Sequence, residues 1–233
     1  MNEMIKPFAT IRRCSDVIRE LQKHNHPLNV VYDIGCNDGR WTRECKTLLP
    51  SAQYIMFDAN PENNVSVSGF DKFFHSVLSD DDGKIVKFWM ADPGKENTGN
   101  SYYKELTTNY SKNRHIELKT SMLDTVVAEN YLPQPDFVKI DTQGSEIDVI
   151  NGAHKTLANA KLILIEVPIM NYNNGAPGFT SYIDLLYNNG FVPTGIDHIA
   201  IRNGILNQVD ITFVKSDINQ EINKHRDRYT GFI

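Results

Sequence analysis

VVYDIGCNDGRWT, residues 30–42, reads as a buried strand, a loop carrying two glycines and an asparagine, and the start of a helix. Val30 to Ile34 is an apolar run broken only by Asp33, as expected of a central parallel strand covered on both faces. Trp41, Cys45, Leu48 and Leu49 then fall at i, i+4, i+7 and i+8, one helical face, and Pro50 closes the segment. Strand, tight loop and helix in that order are the opening unit of an α/β domain.

Working outward, strands and helices alternate. Tyr54–Phe57 is predicted as a second strand and Phe73–Leu78 as a third. An insertion at about 84–120 follows. SDDDGKIVKFWM (79–90) reads as a turn feeding an added strand, Ile85–Met90. Residues 92–114 are polar, with Gly94, Gly99 and four asparagines, the composition of a lid, a binding loop or a disordered segment. His115–Thr120 is a further short strand. PDFVKID (135–141) is the fourth main strand, with Pro only at its first position. Ser145 is placed to cap the next helix, with Glu146 and Asp148 in its first turn.

Leu162–Val167 is the fifth strand, Ser181–Asn189 a helix stopped by Gly190, and Phe191–Ile196 the sixth strand. Asn203-Gly204 between Ile199–Ile201 and Ile205–Leu206 signals a two-residue hairpin, and Asp210–Val214 is the last strand. Residues 10–26, with Ile11, Val17, Ile18 and Leu21 in a partial stripe, and the tail 217–229 are predicted helical. The expected architecture is a doubly wound, mostly parallel seven-stranded α/β sheet with a late antiparallel strand at one end. Residues 1–28 form a helical extension, 29–216 the main domain and 217–233 a tail.

In such sheets ligands sit beyond the carboxyl ends of the strands, where strand order reverses. Asp33, Gly35, Asn37 and Gly39 follow the first strand. Gly35 allows a tight turn beside a ligand and Gly39 a close helix approach. An ordinary strand-to-helix turn favours the same residues. Asp58 ends the second strand about 20 residues on, the position from which a carboxylate accepts both hydroxyls of a ribose. A dinucleotide fingerprint would require G-x-G-x-x-G, but counted from Gly35 its second and third glycines are Asn37 and Arg40. A pyrophosphate needs close backbone approach at the second position. S-adenosylmethionine, an adenosine with an amino-acid arm and no phosphate, fits better than NAD.

Leu78-Ser79-Asp80 follows the third strand at the adenine edge, although Asp80, Asp81, Asp82 and Gly83 also make an ordinary hairpin turn. Asp141 ends the fourth strand, with Lys139 on the same side of it. Glu166 lies near the end of the fifth strand and His198 follows the sixth, so these groups are expected to converge above the sheet. A solvated loop position is the simpler account of His198, and pairing with a carboxylate that of Lys139. Asp141 is costly to bury unpaired and is the favoured functional residue.

Composition narrows the partners. The 233-residue chain has a formal net charge of −5, with lysines and arginines scattered singly, which lacks the footprint of nucleic-acid binding. No apolar run approaches a membrane span. Three cysteines, Cys14, Cys36 and Cys45, show no metal-ligand or disulfide spacing, and a reducing, cytoplasmic setting is expected. The oligomeric state is left open.

Taken together these segments resemble the FkbM-type methyltransferases, a class I (Rossmann-like) methyltransferase family. DFVKIDTQGSEIDVINGA (136–153) is similar to the family signature: a strand ending in K-I-D, then Q/E-G-x-E, an apolar helix and Gly-Ala. VYDIGCNDGRWT, MFDANP, HSVLSDDDGKIVKFW and SMLDTVV resemble the first motif, the second motif, the third strand with its hairpin, and the segment ahead of strand four. The resemblance runs from about residue 29 to 215. It implies an S-adenosylmethionine-dependent O-methyltransferase acting on hydroxyls of sugars or small secondary metabolites. By motif position the cofactor side comprises Asp33, Gly35, Asn37, Gly39, Asp58, Ser79 and Asp141, joined from the same segments by Cys36, Thr42, Ala59, Asn60 and Leu78. Asp58 stands where many relatives carry Glu, Cys36 and Asp38 depart from the pattern, and residues 92–114 match none.

Methyl transfer to a hydroxyl needs alignment and a base. Asp141, Glu166 and His198 are the candidates, and a divalent cation held by the carboxylates is an alternative way to acidify the hydroxyl. Two other readings stay open. An NAD-dependent nucleotide-sugar enzyme is disfavoured by the missing glycines and by the lack of Tyr-x-x-x-Lys after strand four. A non-catalytic nucleoside-binding protein would bind the cofactor without turnover.

Overall fold

The computed structural model describes residues 13–63 and 70–224. Its centre is β1 (Val30–Ile34), flanked in parallel by β2 (Gln53–Asp58) and β7 (Phe137–Ile140). β3 (Lys72–His75) extends the sheet beyond β2, and β8 (Leu162–Pro168) extends it beyond β7, both parallel. β10 (Ile205–Lys215) runs antiparallel to β8 and to β9 (Phe191–Arg202), giving the order β3-β2-β1-β7-β8-β10-β9. The expected doubly wound, mostly parallel seven-stranded sheet is therefore present. Its antiparallel strand lies one position in from the edge rather than at the end.

The alternation of each strand divides the core in two. Tyr32, Ile34, Phe57, Val138, Ile140 and Ile165 point to one face. There they meet α3 (Leu123–Glu129), α4 (Glu146–Asn151), α5 (His154–Leu157) and α6 (Phe179–Asn188). Val31, Tyr54, Phe137, Leu162, Leu164 and Val214 point to the other, under α1 (Cys14–Lys23), α2 (Arg40–Leu48) and α7 (Ser216–Asn223). Each face is dry over the lower part of the strands. Toward the carboxyl ends the second face becomes charged, through Asp33, Lys139, Glu166 and Asp210.

Several boundaries differ from the sequence expectation. The third strand breaks at Ser76, whose N–H donates to the Asp58 carbonyl oxygen at 3.0 Å. Val77–Leu78 then form β4, which joins β6 (His115–Ser121) and β5 (Ile85–Trp89) in a separate three-stranded sheet. The sixth strand and the first arm of the hairpin are one twelve-residue strand, β9. Asn203 and Gly204, with φ of 52° and 77°, close the predicted two-residue turn. α3 was not expected as a helix, because seven residues rich in Thr and Val carry little helical signal. The N-terminal helix is described from Cys14 on, so Ile11 lies outside the described residues, as do 225–229 of the tail.

The tightest constraint on the sheet is backbone on backbone. Gly35, at φ +77°, passes against the chain leaving β7, and a Cβ there would lie 1.8 Å from the Asp141 carbonyl oxygen. The glycine is required by this crossing rather than by room for a ligand. Gly35→Ala is expected to cost about 2–4 kcal/mol, combining left-handed backbone strain with overpacking. Urea unfolding of the variant, read as a midpoint shift at constant slope, checks this.

Candidate active site

β1 and β7 are the pair at which strand order reverses, and a cavity of about 280 Å³ opens beyond their carboxyl ends. Gly35, Asn37, Asp58, Ala59, Asn60 and Leu78 line one end, together with apolar Ile34, Phe57 and Val77. Asp141, Gln143, Glu166, Tyr172 and Gln208 line the other. The volume is near the lower range of small-molecule sites.

Asp58 organises the first end. Its Oδ2 accepts the Asn37 N–H at 2.7 Å, and its Oδ1 accepts the Asn60 N–H at 2.8 Å and Asn63 Nδ2 at 3.1 Å. Burial pushes this carboxyl group up, while those three donors pull it back. The donors also fix its position at the cavity wall.

The neighbouring loop offers little to a phosphate. The N–H groups of Gly35 and Cys36 donate to the Phe57 carbonyl at 2.9 and 3.1 Å, and that of Gly39 to Cys36 at 2.8 Å. Asn37 is committed to Asp58 and the Arg40 N–H to Asp38 Oδ1 at 2.9 Å. A pyrophosphate needs such groups free. A nucleoside held by an acidic residue and apolar walls does not, so the residues present fit S-adenosylmethionine and do not fit a dinucleotide.

Asp33 lies beneath the loop rather than in the cavity. It is 1% exposed, accepts a hydrogen bond from the Thr42 hydroxyl, and pairs with Lys139 Nζ at 3.4 Å. Lys139 Nζ also reaches Asp141 Oδ2 at 3.2 Å and lies over the Trp41 ring. Burial works against the ammonium, but Asp141 and Asp33 outweigh it and hold Lys139 above the ordinary lysine range. The pairing of Lys139 with carboxylates considered from sequence is thus what the structure contains.

The second end is a hydrogen-bonded chain of carboxylates and amides. Gln143 Nε2 donates to Asp141 Oδ1 at 2.7 Å and to Glu166 Oε1 at 2.8 Å. The Tyr172 hydroxyl lies 3.1 Å from Glu166 Oε1, and Gln208 Nε2 donates to Glu166 Oε2. Gln143 sits at φ 57°, a left-handed conformation that the flanking Gly144 shares at 103°. That turn is held by Glu146. Its carboxylate accepts the N–H of Thr142 at 2.8 Å and of Gly144 at 3.0 Å, and the Tyr182 hydroxyl at 2.8 Å. Ser145 occupies the cap position of α4, but its hydroxyl bonds the Thr142 carbonyl instead. Glu166 is driven well above the usual carboxylate range, first by burial and then by the charges of Asp141, Glu146 and Asp210. Asp210, its partner across the β8–β10 ladder, is pushed up to about 7, mainly by burial.

The insertion closes the cavity. Residues 92–114 are folded, with a 3₁₀ turn at Thr108–Tyr110, and Asn97, Asn100, Tyr102, Glu105 and Thr107 line the wall. The Tyr102 and Tyr103 hydroxyls both donate to Asp148 Oδ2, at 2.7 and 3.0 Å. Asn173 Nδ2 donates to the Tyr103 and Gln143 carbonyls, each at 2.9 Å, tying the insertion to the turn after β7.

Of the residues singled out from sequence, Gly35, Asn37, Asp58, Ala59, Asn60, Leu78, Asp141 and Glu166 line the cavity. Cys36, Gly39, Thr42 and Asp33 instead build the loop behind it, and Ser79 hydrogen-bonds the lining Tyr102 hydroxyl at 3.2 Å. His198 is not brought to the site. It lies within β9, exposed and paired with Asp210 in register, because the strand expected to end at Ile196 continues to Arg202. Sequence reasoning passed over Gln143, Tyr172, Gln208 and Glu105. Only Gln143 carried a signal, as the Q of the Q/E-G-x-E motif. No group of three or more His, Cys, Asp or Glu side chains among the described residues is arranged to hold a metal ion.

The fold and this cavity define a methyltransferase that uses S-adenosylmethionine. More narrowly, the chain belongs to the FkbM methyltransferase domain family, whose model matches residues 33–193. Among curated relatives it is 26% identical over 218 residues to the 2-O-methyltransferase NoeI of Sinorhizobium fredii, covering 85% of this chain and 88% of that protein. It is 26% identical over 172 residues to the hexuronic acid methyltransferase AglP of Haloferax volcanii, covering 71% of this chain and 66% of AglP. Among solved structures, the magnesium protoporphyrin IX methyltransferase ChlM of Synechocystis PCC 6803 with bound SAM aligns with a TM-score of 0.46 at 12% identity, over 87% of this chain and 77% of that one.

Asp58→Ala is expected to weaken S-adenosylhomocysteine binding by about 1–3 kcal/mol, the loss of hydrogen bonds to a charged group. Isothermal calorimetry checks it, and an unchanged dissociation constant removes Asp58 from the site.

Proposed function

We propose that the protein transfers a methyl group from S-adenosylmethionine to a hydroxyl of a saccharide, with Glu166 as the general base and Asp141 on the cofactor's amino-acid arm. The observation that carries this reading is the Asp141–Gln143–Glu166 chain, which places two carboxyl groups of unlike surroundings at the end of the cavity remote from Asp58. The names of two relatives support it, one specifying a 2-O position and the other a hexuronic acid. The wall built by the insertion is rich in amide and hydroxyl side chains, Asn97, Thr98, Asn100 and Thr107, which suit a hydroxyl-bearing ligand.

When bound, S-adenosylmethionine supplies an electrophilic methyl group on a sulfonium, whose carbon–sulfur bond pair stays with sulfur on transfer. The chain's own residues position and deprotonate. Asp58 accepts the ribose hydroxyls. The Asp141 oxygens, already directed by Lys139 and Gln143, take the ammonium of the amino-acid arm. Glu166 removes the acceptor's hydroxyl proton as the oxygen–carbon bond forms. Its raised proton affinity makes its deprotonated form a stronger base. Gln143, Tyr172 and Gln208 hold its oxygens in place.

The sign of the pH dependence follows. Glu166 works only when deprotonated, so the rate climbs as pH rises through its elevated pKa. The acid limb of kcat/KM for the acceptor should therefore lie above the ordinary glutamate value of about 4.3. Glu166→Gln is expected to lower kcat by about 10²–10⁴-fold and abolish that limb, with S-adenosylhomocysteine affinity retained. A pH–rate series with labelled methyl donor against a panel of glycosides tests this, and a variant that keeps the wild-type rate sinks the assignment.

A further inference from the structure

Glu105 is the one carboxyl group lining the cavity that the mechanism above does not use. It stands on the wall built by the insertion and is only 7% exposed. Its side chain accepts no hydrogen bond and forms no ion pair among the described residues. The Tyr110 hydroxyl lies beside it but donates to Asn100 Oδ1 at 3.1 Å. Nor is either Glu105 oxygen among the fully enclosed orphaned atoms, which are His26 Nε2, Asp33 Oδ1, Thr142 Oγ1 and Asp210 Oδ1. Its open hydrogen-bonding capacity therefore faces the cavity.

The local sequence makes room for this group. A Cβ on Gly99 would lie 1.8 Å from Glu105 Oε2. Burying a polar group without a partner is costly, and native proteins do it where a ligand completes the set. The backbone of Glu105 runs on the Tyr172 side of the cavity. Its backbone bridges Asn173, and the Leu106 N–H donates to the Tyr172 carbonyl at 2.8 Å, next to the Tyr172 hydroxyl on Glu166. The cavity's charge adds a constraint. Asp58, Glu105, Asp141 and Glu166 line it against a single lysine or arginine, the exposed Arg202.

Resting on the saccharide reading, we propose that Glu105 binds an adjacent pair of hydroxyls on the acceptor's sugar ring, one to each oxygen, and so selects neutral sugars over anionic ones. A carboxylate is an acceptor-only group with two oxygens, matched to two neighbouring hydroxyl donors. An anionic ring would bring its charge against that of Glu105.

The test is binding rather than turnover, measured by NMR titration at saturating S-adenosylhomocysteine. The probes are methyl glycosides of glucose, galactose, mannose and rhamnose, their monodeoxy forms, and methyl glucuronide. Removing either of the two contacted hydroxyls is expected to weaken binding to the wild type about tenfold or more. The isosteric Glu105→Gln should bind the parent glycoside about tenfold more weakly, lose little further on the same deoxygenation, and keep its affinity for S-adenosylhomocysteine. Equal deoxygenation losses in both proteins overturn the proposal. So do wild-type glycoside affinity in the variant, a glucuronide bound as tightly as the glucoside, or a tenfold loss of S-adenosylhomocysteine affinity. If S-adenosylhomocysteine binds the wild type and no glycoside does, the saccharide reading itself falls and this proposal with it.

Discussion

A single buried ammonium, that of Lys139, makes the carboxyl end of this sheet tenable. Asp33, Asp141, Glu166 and Asp210 stand on neighbouring strands within one charged layer, and an array of carboxylates out of water is unfavourable without compensation. Lys139 bridges Asp33 and Asp141, pinning the strand-to-helix loop on one side and the turn after β7 on the other. With those two charges matched, Glu166 is left with amide and hydroxyl partners, and Asp210 Oδ1 is buried with no hydrogen-bond partner among the described residues. Burial is the first cause of their raised proton affinity, and the neighbouring carboxylates add to it.

The Asp58 end of the cavity and the sheet that carries it were legible in the sequence because they rest on short-range rules. The run 30–34, the glycine after it and Asp58 some 20 residues on describe a strand, a tight turn and a carboxylate at the cavity wall without reference to anything distant. Even there the reasons for two residues changed. Gly35 was read as space for a ligand, whereas the atom it avoids is the Asp141 carbonyl oxygen, more than a hundred residues away in the chain. Asp33 looked like a cofactor contact and is instead the buried support of Thr42 and Lys139.

The Glu166 end was not legible, and the causes are tertiary. Tyr172 and Gln208 reach Glu166 from a loop and from the antiparallel strand, and nothing local distinguishes either from an ordinary polar surface residue. The polar composition of 92–114 left a folded wall and a disordered segment equally plausible. What decides between them is Asn173, the two tyrosine hydroxyls on Asp148 and a pairing of Glu105 with Asn173. His198 was misplaced for a related reason: a twelve-residue strand was read as a short one followed by a loop, which moved the side chain from a sheet edge to an imagined rim.

The β9–β10 hairpin overhangs the cavity, bringing Arg202, Asn207 and Gln208 to its mouth from either side of a two-residue turn. These residues come from a ribbon at the margin of the sheet, while the Asp58 end is built into its middle. Lengthening or trimming that ribbon by residue pairs preserves its inward and outward faces. The ribbon's reach can thus drift while the central strands, and the Asp58 end of the cavity they carry, stay fixed.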